Sequence, residues 1–441
     1  MTISKITKIK VAVILFYLLL FTGLALYDEK PNPEMVKDMS RPMPEVIQPG
    51  NAWIAFLGFN CPAEISPFAQ GEKRMLRVKN LLRPGKSAKE FRIEYVNILQ
   101  ESLNDKSGLS FKGRLPSFYG TKDQGMLPYA AAHQKEIDVL LKNNAELLGR
   151  YESLSKYPRY IEPLDLGYYA PSPPWAFGNS QEMNRLAIAV KASHGDVKGA
   201  LIRLKKDIEF WRLIASNSMT LISKLIAFQY LHLDMLLAAE IGADSPLKTE
   251  EGELLRGILR PFDKGEISQS KAILGEFRHS QKGMELTYHL EASRIDRLFF
   301  KQNAFNNRMY ANSQDHIHLA ELPPKEFAIK VKNLKRDKKA RVGIPFLYNP
   351  AGEILSVIAQ GVDTSIYIER GYNLEGLRRL ALLKVLIHQE NISSERTQQF
   401  LDIHASDLGN PYTGGPMTWD SKERSISFKQ LSGNKSVEIL L

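Results

Sequence analysis

The sequence predicts a mainly α-helical fold: a multi-helix extracytoplasmic domain of packed antiparallel helices, carried on a single N-terminal transmembrane helix and ending in a small C-terminal β-hairpin. Three observations predict it. Val11 to Tyr27 is an apolar run without a charge. Long stretches of the body repeat their apolar residues on a 3.6-residue period. After Asn410 the pattern changes to short alternating segments that read as strands.

The apolar run, VAVILFYLLLFTGLALY, is 17 residues long. That is the short end of what spans a bilayer as a helix. Residues 1–10 carry Lys5, Lys8 and Lys10 and no acid, whereas residues 28–45 carry five acids against three bases. Positive charge stays inside, so residues 1–10 form a cytoplasmic tail and the body lies outside the cytoplasmic membrane. A cleaved signal peptide is the alternative, with Gly23-Leu24-Ala25 as its cleavage signal. The run is long for that, and an uncleaved signal-anchor is the preferred reading. No cysteine sits near it, which excludes lipoprotein processing.

Residues 28–50 hold five prolines. Proline fixes φ and withholds a donor, so they read as a stiff, extended spacer that holds the body off the membrane. A helical domain follows over 51–345, then a C-terminal segment over 346–441. The segment 51–60 reads as a short buried helix ended by Gly58. Leu76–Leu82 and Ser87–Leu103 read as amphipathic helices, 104–129 as loop, and Ala130–Ser155 as one helix. Asn179 with Glu182 reads as a capping box for a helix that stops at Gly195. Asp196 caps the next, whose stripe is Val197, Ala200, Leu201, Leu204, Ile208, Trp211 and Ala215. This pair resembles one tetratricopeptide hairpin, but no 34-residue repeat follows. Met219–Ile241 is a central helix closed by Gly242, and Ser245-Pro246 starts another. Glu266–Phe300 is one or two helices, 301–345 mostly loop, YNPAG at 348–352 a turn, and Leu374–Gln389 a helix. Met417–Trp419, Ser425–Phe428 and Val437–Leu440 alternate as strands.

Two segments are candidate surfaces. Tyr157 to Gly178 breaks the helical text with five prolines and six aromatics. Long irregular segments in a compact domain are often functional. Tyr168, Tyr169, Trp175 and Phe177 are the candidate ligand or partner surface, suited to sugars or peptides. The alternative is a belt that buries its rings over the helices. The net charge of +10 is concentrated in residues 72–92 and 325–341, each with eight bases and two acids. Lys335, Arg336, Lys338 and Lys339 are the candidate contact for an anionic surface, lipid or envelope polymer. Neither block interleaves aromatics for base stacking, so nucleic acid is not an expected partner.

Motifs for chemistry are absent. Gly85-Lys86-Ser87 lacks the upstream glycine of a phosphate loop. Ser153-x-x-Lys156 and Ser268-x-x-Lys271 lack the companion elements of penicillin-interactive enzymes. Asp315-His316-Ile317-His318 would share a metal only on a strand and with a further ligand. Glu285 and His289, four apart, read as a side-chain pair, and Asp402, His404 and Ser406 define no triad geometry. No catalytic residue, metal or cofactor is expected. Cys61, the single cysteine, reads as a thiol packed apolarly beside Pro62.

Asn51-Ala52 through Gly58, Arg150-Tyr151, Phe210-Trp211-Arg212, Asn349-Pro350-Ala351-Gly352 and Asn410 to Met417 carry a resemblance. With them the chain resembles a family of uncharacterised, membrane-anchored bacterial envelope proteins over most of 51–420. Residues 410–417 also look like a tail motif of several unrelated secreted proteins. The resemblance implies no substrate and no catalytic residue. The leading functional reading is therefore a non-enzymatic binding or scaffolding protein of the envelope. It meets the lipid bilayer through residues 11–27 and another envelope protein or an anionic polymer through its body. The alternative is a hydrolase of an envelope polymer, acting through carboxylates that the sequence does not single out.

Overall fold

Residues 28–50 fold back onto the body. The computed structural model describes residues 27–82, 108–116, 125–171, 177–244, 246–291, 299–334, 348–360, 363–433 and 435–441, with short helical pieces at 10, 13–17, 23, 90 and 93–98. The transmembrane reading of Val11–Tyr27 falls largely outside them. The expected extended spacer instead contains helix α1, Pro33–Ser40. Asn32 caps it by accepting from Glu34 N at 2.9 Å, and Pro33 takes the first helical position, where its missing N–H costs nothing. Met35 is buried with Phe277 and Tyr310, and Tyr310 donates to Asp38 at 2.7 Å.

Helix α2, Ala52–Leu57, buries all six of its residues and ends at Gly58, as its sequence predicts. Helix α3, Pro67–Leu81, begins nine residues before the expected Leu76 because Ser66 and Pro67 supply a cap and an N1 proline. Its Arg74, from the first basic block, is buried and donates to Leu57 O at 2.6 Å. The single helix expected over Ala130–Ser155 is three: α4 Met126–Ala132, α5 Gln134–Asn143 and α6 Ala145–Leu154. At the second break the Asn144 side chain clamps Lys112, accepting its N–H and donating to its carbonyl, each at 2.8 Å. A long-range contact thus interrupts a period that is locally continuous.

Helices α7 Phe177–Ser193, α8 Val197–Asn217 and α9 Leu221–Asp244 form the central layer. Asn179 lies inside α7, so the expected capping box there does not form. Gly195 adopts φ +83° in the turn, and Asp196 caps α8 by accepting from Gly199 N at 2.9 Å. The α8 stripe is buried at Ala200, Leu201, Leu204, Ile208, Trp211 and Ala215. Among the described residues α9 is the one helix long and apolar enough to cross a membrane. It packs instead between α8 and α16, Ser365–Gln389. It runs through Gly242 rather than ending there.

Around this layer lie α10 Thr249–Ile258, α11 Lys264–Ile267, α12 Ser270–Glu291, α13 Gln302–Glu321, α14 Pro324–Leu334 and α15 Pro350–Gln360, with α17 Ser394–Ile403 and α18 Ala405–Leu408 after α16. The start of α10 is Thr249, not Ser245-Pro246; the Glu251 carboxylate reaches back to Lys248 N at 2.8 Å. Residues 302–334, expected as loop with some helix, hold two helices. The expected turn at 348–352 is the start of α15: Asn349 caps it and Pro350 opens it. Strands β1 Thr418–Asp420, β2 Ser425–Lys429 and β3 Ser436–Leu440 form an antiparallel meander in the order β1-β2-β3, at the three segments expected as strands. Ile426 pairs with Ile439 and Phe428 with Val437, and this face packs on α16.

Candidate binding pocket

The proline-rich belt is held by backbone contacts at its start and near its middle. Residues 50–52 pair with 159–161: Ala52 N donates to Arg159 O at 2.9 Å and Arg159 N to Gly50 O at 3.1 Å. Asn51, fully buried, donates to Val46 O and Ile161 O and accepts from Ile161 N. Further along, Gly167 adopts φ +51° and lies on the backbone of Gly283 in α12. A Cβ at either glycine would collide with the facing segment. Two glycines thus let the belt lie directly on the helix.

Between the belt and helices α2, α8, α9 and α12 is a pocket of about 330 Å³. Trp53, Phe56 and Trp211 form its apolar floor, and Tyr160 and Tyr168 come from the belt. Trp211 is fully buried, with its ring stacked on Phe56 at 6.3 Å. Tyr168 is half exposed and meets His279 edge-on at 5.6 Å. Its place in the wall of a pocket lies between the two expectations for the belt: the segment buries Tyr160, Leu164 and Leu166 but leaves Tyr168 at a cavity mouth.

Two carboxylates line the same pocket, and both serve the N-terminus of α9. Glu162 accepts from Met219 N at 2.5 Å, Thr220 N at 3.1 Å, Thr220 Oγ1 at 2.6 Å and Ser223 Oγ at 2.7 Å. Glu276 accepts from Leu221 N at 2.7 Å. Carboxylates suit this position because orphan amides and the positive end of the helix dipole face them. Burial raises the Glu162 carboxyl, and the four hydrogen bonds offset that rise only in part. Burial also raises Glu276, with Glu162 adding to the rise. Burial lowers His279, which favours its neutral ring, and among the described residues its Nδ1 has no hydrogen-bond partner. The described lining contains no Lys or Arg. Such a surface favours neutral or cationic groups over anions.

Behind the floor a polar chain crosses the core. Trp211 Nε1 donates to Tyr151 Oη at 2.9 Å, and Tyr151 donates to Asp207 Oδ1 at 2.8 Å. Asn184 donates to the other Asp207 oxygen at 3.0 Å, and Arg203 donates to Asn184 at 2.7 Å. Tyr151, Asp207 and Arg203 reach a second, open groove of about 790 Å³ lined also by Lys156 and Lys206. Burial pushes Asp207 up to about 6. It also pushes Asp234 well above the usual carboxylate range, with the Asp207 charge adding to that rise. Sequence reading missed this chain because its members lie on three helices, α6, α7 and α8. One signal was present: Asp207 falls between Leu204 and Trp211 on an apolar stripe.

The other candidates are placed as follows. Tyr169 packs edge-on against Tyr95 at 5.7 Å, away from the pocket lining. Trp175 and the side chain of Phe177 lie outside the described residues, as do Lys335, Arg336, Lys338 and Lys339. His316 and His318 sit on α13, a helix, where residues two apart point to different faces; a shared metal there is excluded by geometry. Among the described residues no group of three His, Cys, Asp or Glu side chains converges on a metal position. Glu285 pairs with Lys282 at 3.0 Å, and the side chain of His289 lies outside the described residues. Cys61 is buried, but polar groups surround it: Sγ donates to Ile65 O at 3.1 Å and accepts from Arg150 at 3.3 Å. No protein-family model, curated protein or solved structure matches the chain.

Proposed function

We propose that the chain is a non-enzymatic binding protein of the cell envelope, anchored by residues 11–27, whose belt pocket receives a neutral ring of a sugar or peptide. The observation that carries the reading is the employment of the pocket's acids. Hydrolysis by paired carboxylates needs one acid to give a proton and the other to attack or to activate water. Both oxygens of Glu162 are taken up by four donors, which leaves it a helix cap. What the pocket offers a ligand is aromatic surface, a neutral imidazole and hydroxyls, the mixture that binding sites use.

One observation favours the hydrolase alternative. Among the described residues the second oxygen of Glu276 makes no hydrogen bond, and burial holds its proton more tightly, as a general acid requires. It has no available carboxylate partner in the pocket, so the binding reading stands ahead.

Trp53 and Trp211 make the pocket its own reporter. Titrating the full chain with N-acetylglucosamine oligomers and with proline-containing peptides should shift tryptophan emission saturably for one class. Tyr168→Ala should abolish the shift with the melting temperature nearly unchanged. Unshifted emission with both classes sinks the reading. Release of a hydrolysis product that Glu276→Gln abolishes would install the alternative.

A further inference from the structure

Helix α15 is inside out. Along Pro350–Gln360 the residues turned to the protein are Gly352, Glu353 and Ser356, all buried. The outward residues are Ile354, Val357 and Ile358, exposed by 53%, 59% and 66%, and Leu355 at 38%. Spacings of three and four put these four aliphatics on one face. A surface helix of a water-soluble protein has the opposite arrangement.

The position of this face says what covers it. Glu353 pairs with Arg308 of α13, and Asn349 bonds both backbone groups of Lys301, so α15 is fixed to the start of α13. The same start of α13 holds the chain that leaves the apolar run. Asp28 accepts from Asn303 N at 2.9 Å and Ala304 N at 3.2 Å, and Asn307 accepts from Asn32 N at 2.7 Å. The Tyr27 ring lies 6.2 Å from that of Tyr348, one residue before Asn349. Residue 27 is the last of the uncharged run. An eleven-residue helix is about 16 Å long, so these four exposed aliphatics of α15 lie close to the point where that run meets the body.

We propose that the outward face of α15 rests in the lipid interface beside the exit of the N-terminal anchor and docks the body onto the bilayer. The inference rests on the anchor assigned under the proposed function. Its driving force is the transfer of four aliphatic side chains out of water into the headgroup–acyl boundary. A spacer that folds back, rather than standing off, makes the contact reachable. Tyr27 and Tyr348 sit where interfacial aromatics are favoured.

The test uses the full chain reconstituted into phosphatidylcholine liposomes, with an environment-sensitive fluorophore on Val357→Cys; Cys61 is buried and stays unlabelled. Flotation first reports the anchor. The label should lose most of its emission when nitroxide is placed on the lipid near the headgroup, and should resist quenching by aqueous iodide. A label on the equally exposed Val139 of α5 should show the reverse. Adding Ile354→Asp and Ile358→Asp should hand the Val357 label back to iodide. Liposomes that float with the protein while the Val357 label responds to iodide alone overturn the docking and leave the anchor intact. A cross-link between the Val357 positions of two copies, without lipid quenching, overturns it in favour of self-association. Failure to float overturns the anchor and the docking together.

Discussion

The indole of Trp211 donates to the hydroxyl of Tyr151 at 2.9 Å, and that hydroxyl in turn donates to Asp207. The largest aromatic of the central layer is therefore also the first member of a buried polar chain. Its ring stacks on Phe56 and lies 4.5 Å from Tyr230. Trp211→Ala removes both the packing and the donor, and should cost about 3–5 kcal/mol in chemical denaturation. Trp211→Phe keeps most of the volume and leaves Tyr151 one donor short, so it should cost on the order of 1 kcal/mol. Equal losses for the two variants would show that the hydrogen bond, not the packing, dominates.

Asp207 gives a pH signature with a defined sign. Its folded-state value is raised to about 6 from an ordinary 3.8, chiefly by burial. Between these values the folded state binds more protons than the unfolded one. Its contribution to stability therefore falls as pH rises through that window. Asp207→Asn cannot titrate, so the stability of the variant relative to the parent should climb between about pH 4 and pH 6. Comparing the pair cancels groups that do not feel Asp207, such as His232, which burial lowers to about 4 and which acts with the opposite sign; Asp234 falls with the loss of the Asp207 charge and adds to the climb. A difference that stays flat across the window defeats the assignment.

Arg150 holds the loop after α2 as a rivet. Nη1 donates to Phe59 O at 2.9 Å and Cys61 O at 2.6 Å, and Nη2 donates to Pro62 O at 2.6 Å and Ile65 O at 3.3 Å. Arg150→Met strands these buried carbonyls and should lower stability by on the order of 3 kcal/mol. Arg150→Lys should recover little of it, since one ammonium cannot span the fork. In both variants Cys61 should react faster with a thiol reagent than in the parent. An unchanged labelling rate would show that the loop stays closed without the guanidinium.

The parts of the fold legible in the sequence are those in which local pattern and tertiary role agree. The α8 stripe, the Gly195-Asp196 turn and the three strands are of this kind. The misreadings have a common cause. Helix α13 has little apolar periodicity because it buries Asn306 and Ser313 between neighbours. Helix α15 hides its polar residues, so Asn349-Pro350 looked like a turn instead of a cap followed by an N1 proline. The prolines of 28–50 suggested extension, yet Asn32-Pro33 opens a helix that Phe277 and Tyr310 receive. Of the pocket, Tyr168 alone was among the belt aromatics singled out in the sequence. Glu162, Glu276 and His279 were not legible, because their role depends on where the end of α9 arrives.

The contact between Gly283 and Tyr168 allows the belt to be tested apart from the helix beneath it. A Cβ on Gly283 would run into the Tyr168 ring and nothing nearer. Within α12 itself, Gly→Ala is favourable by about 1 kcal/mol, since glycine is the poorer helix former. In the parent, Gly283→Ala should therefore combine a helix gain with a displaced ring, leaving stability near the parent value while loosening the pocket wall. In a Tyr168→Ala background the ring is absent and the same substitution should show its gain in full. The double-mutant cycle should return a coupling of about 0.5–1 kcal/mol or more. The pocket prediction runs in parallel: Gly283→Ala should weaken the tryptophan emission shift as Tyr168→Ala does, although it touches no ligand. Zero coupling would mean that the belt yields freely at this point. Tyr168 would then not be held as a wall, and the aromatic surface offered to a ligand would shrink to Tyr160 and the floor of Trp53, Phe56 and Trp211.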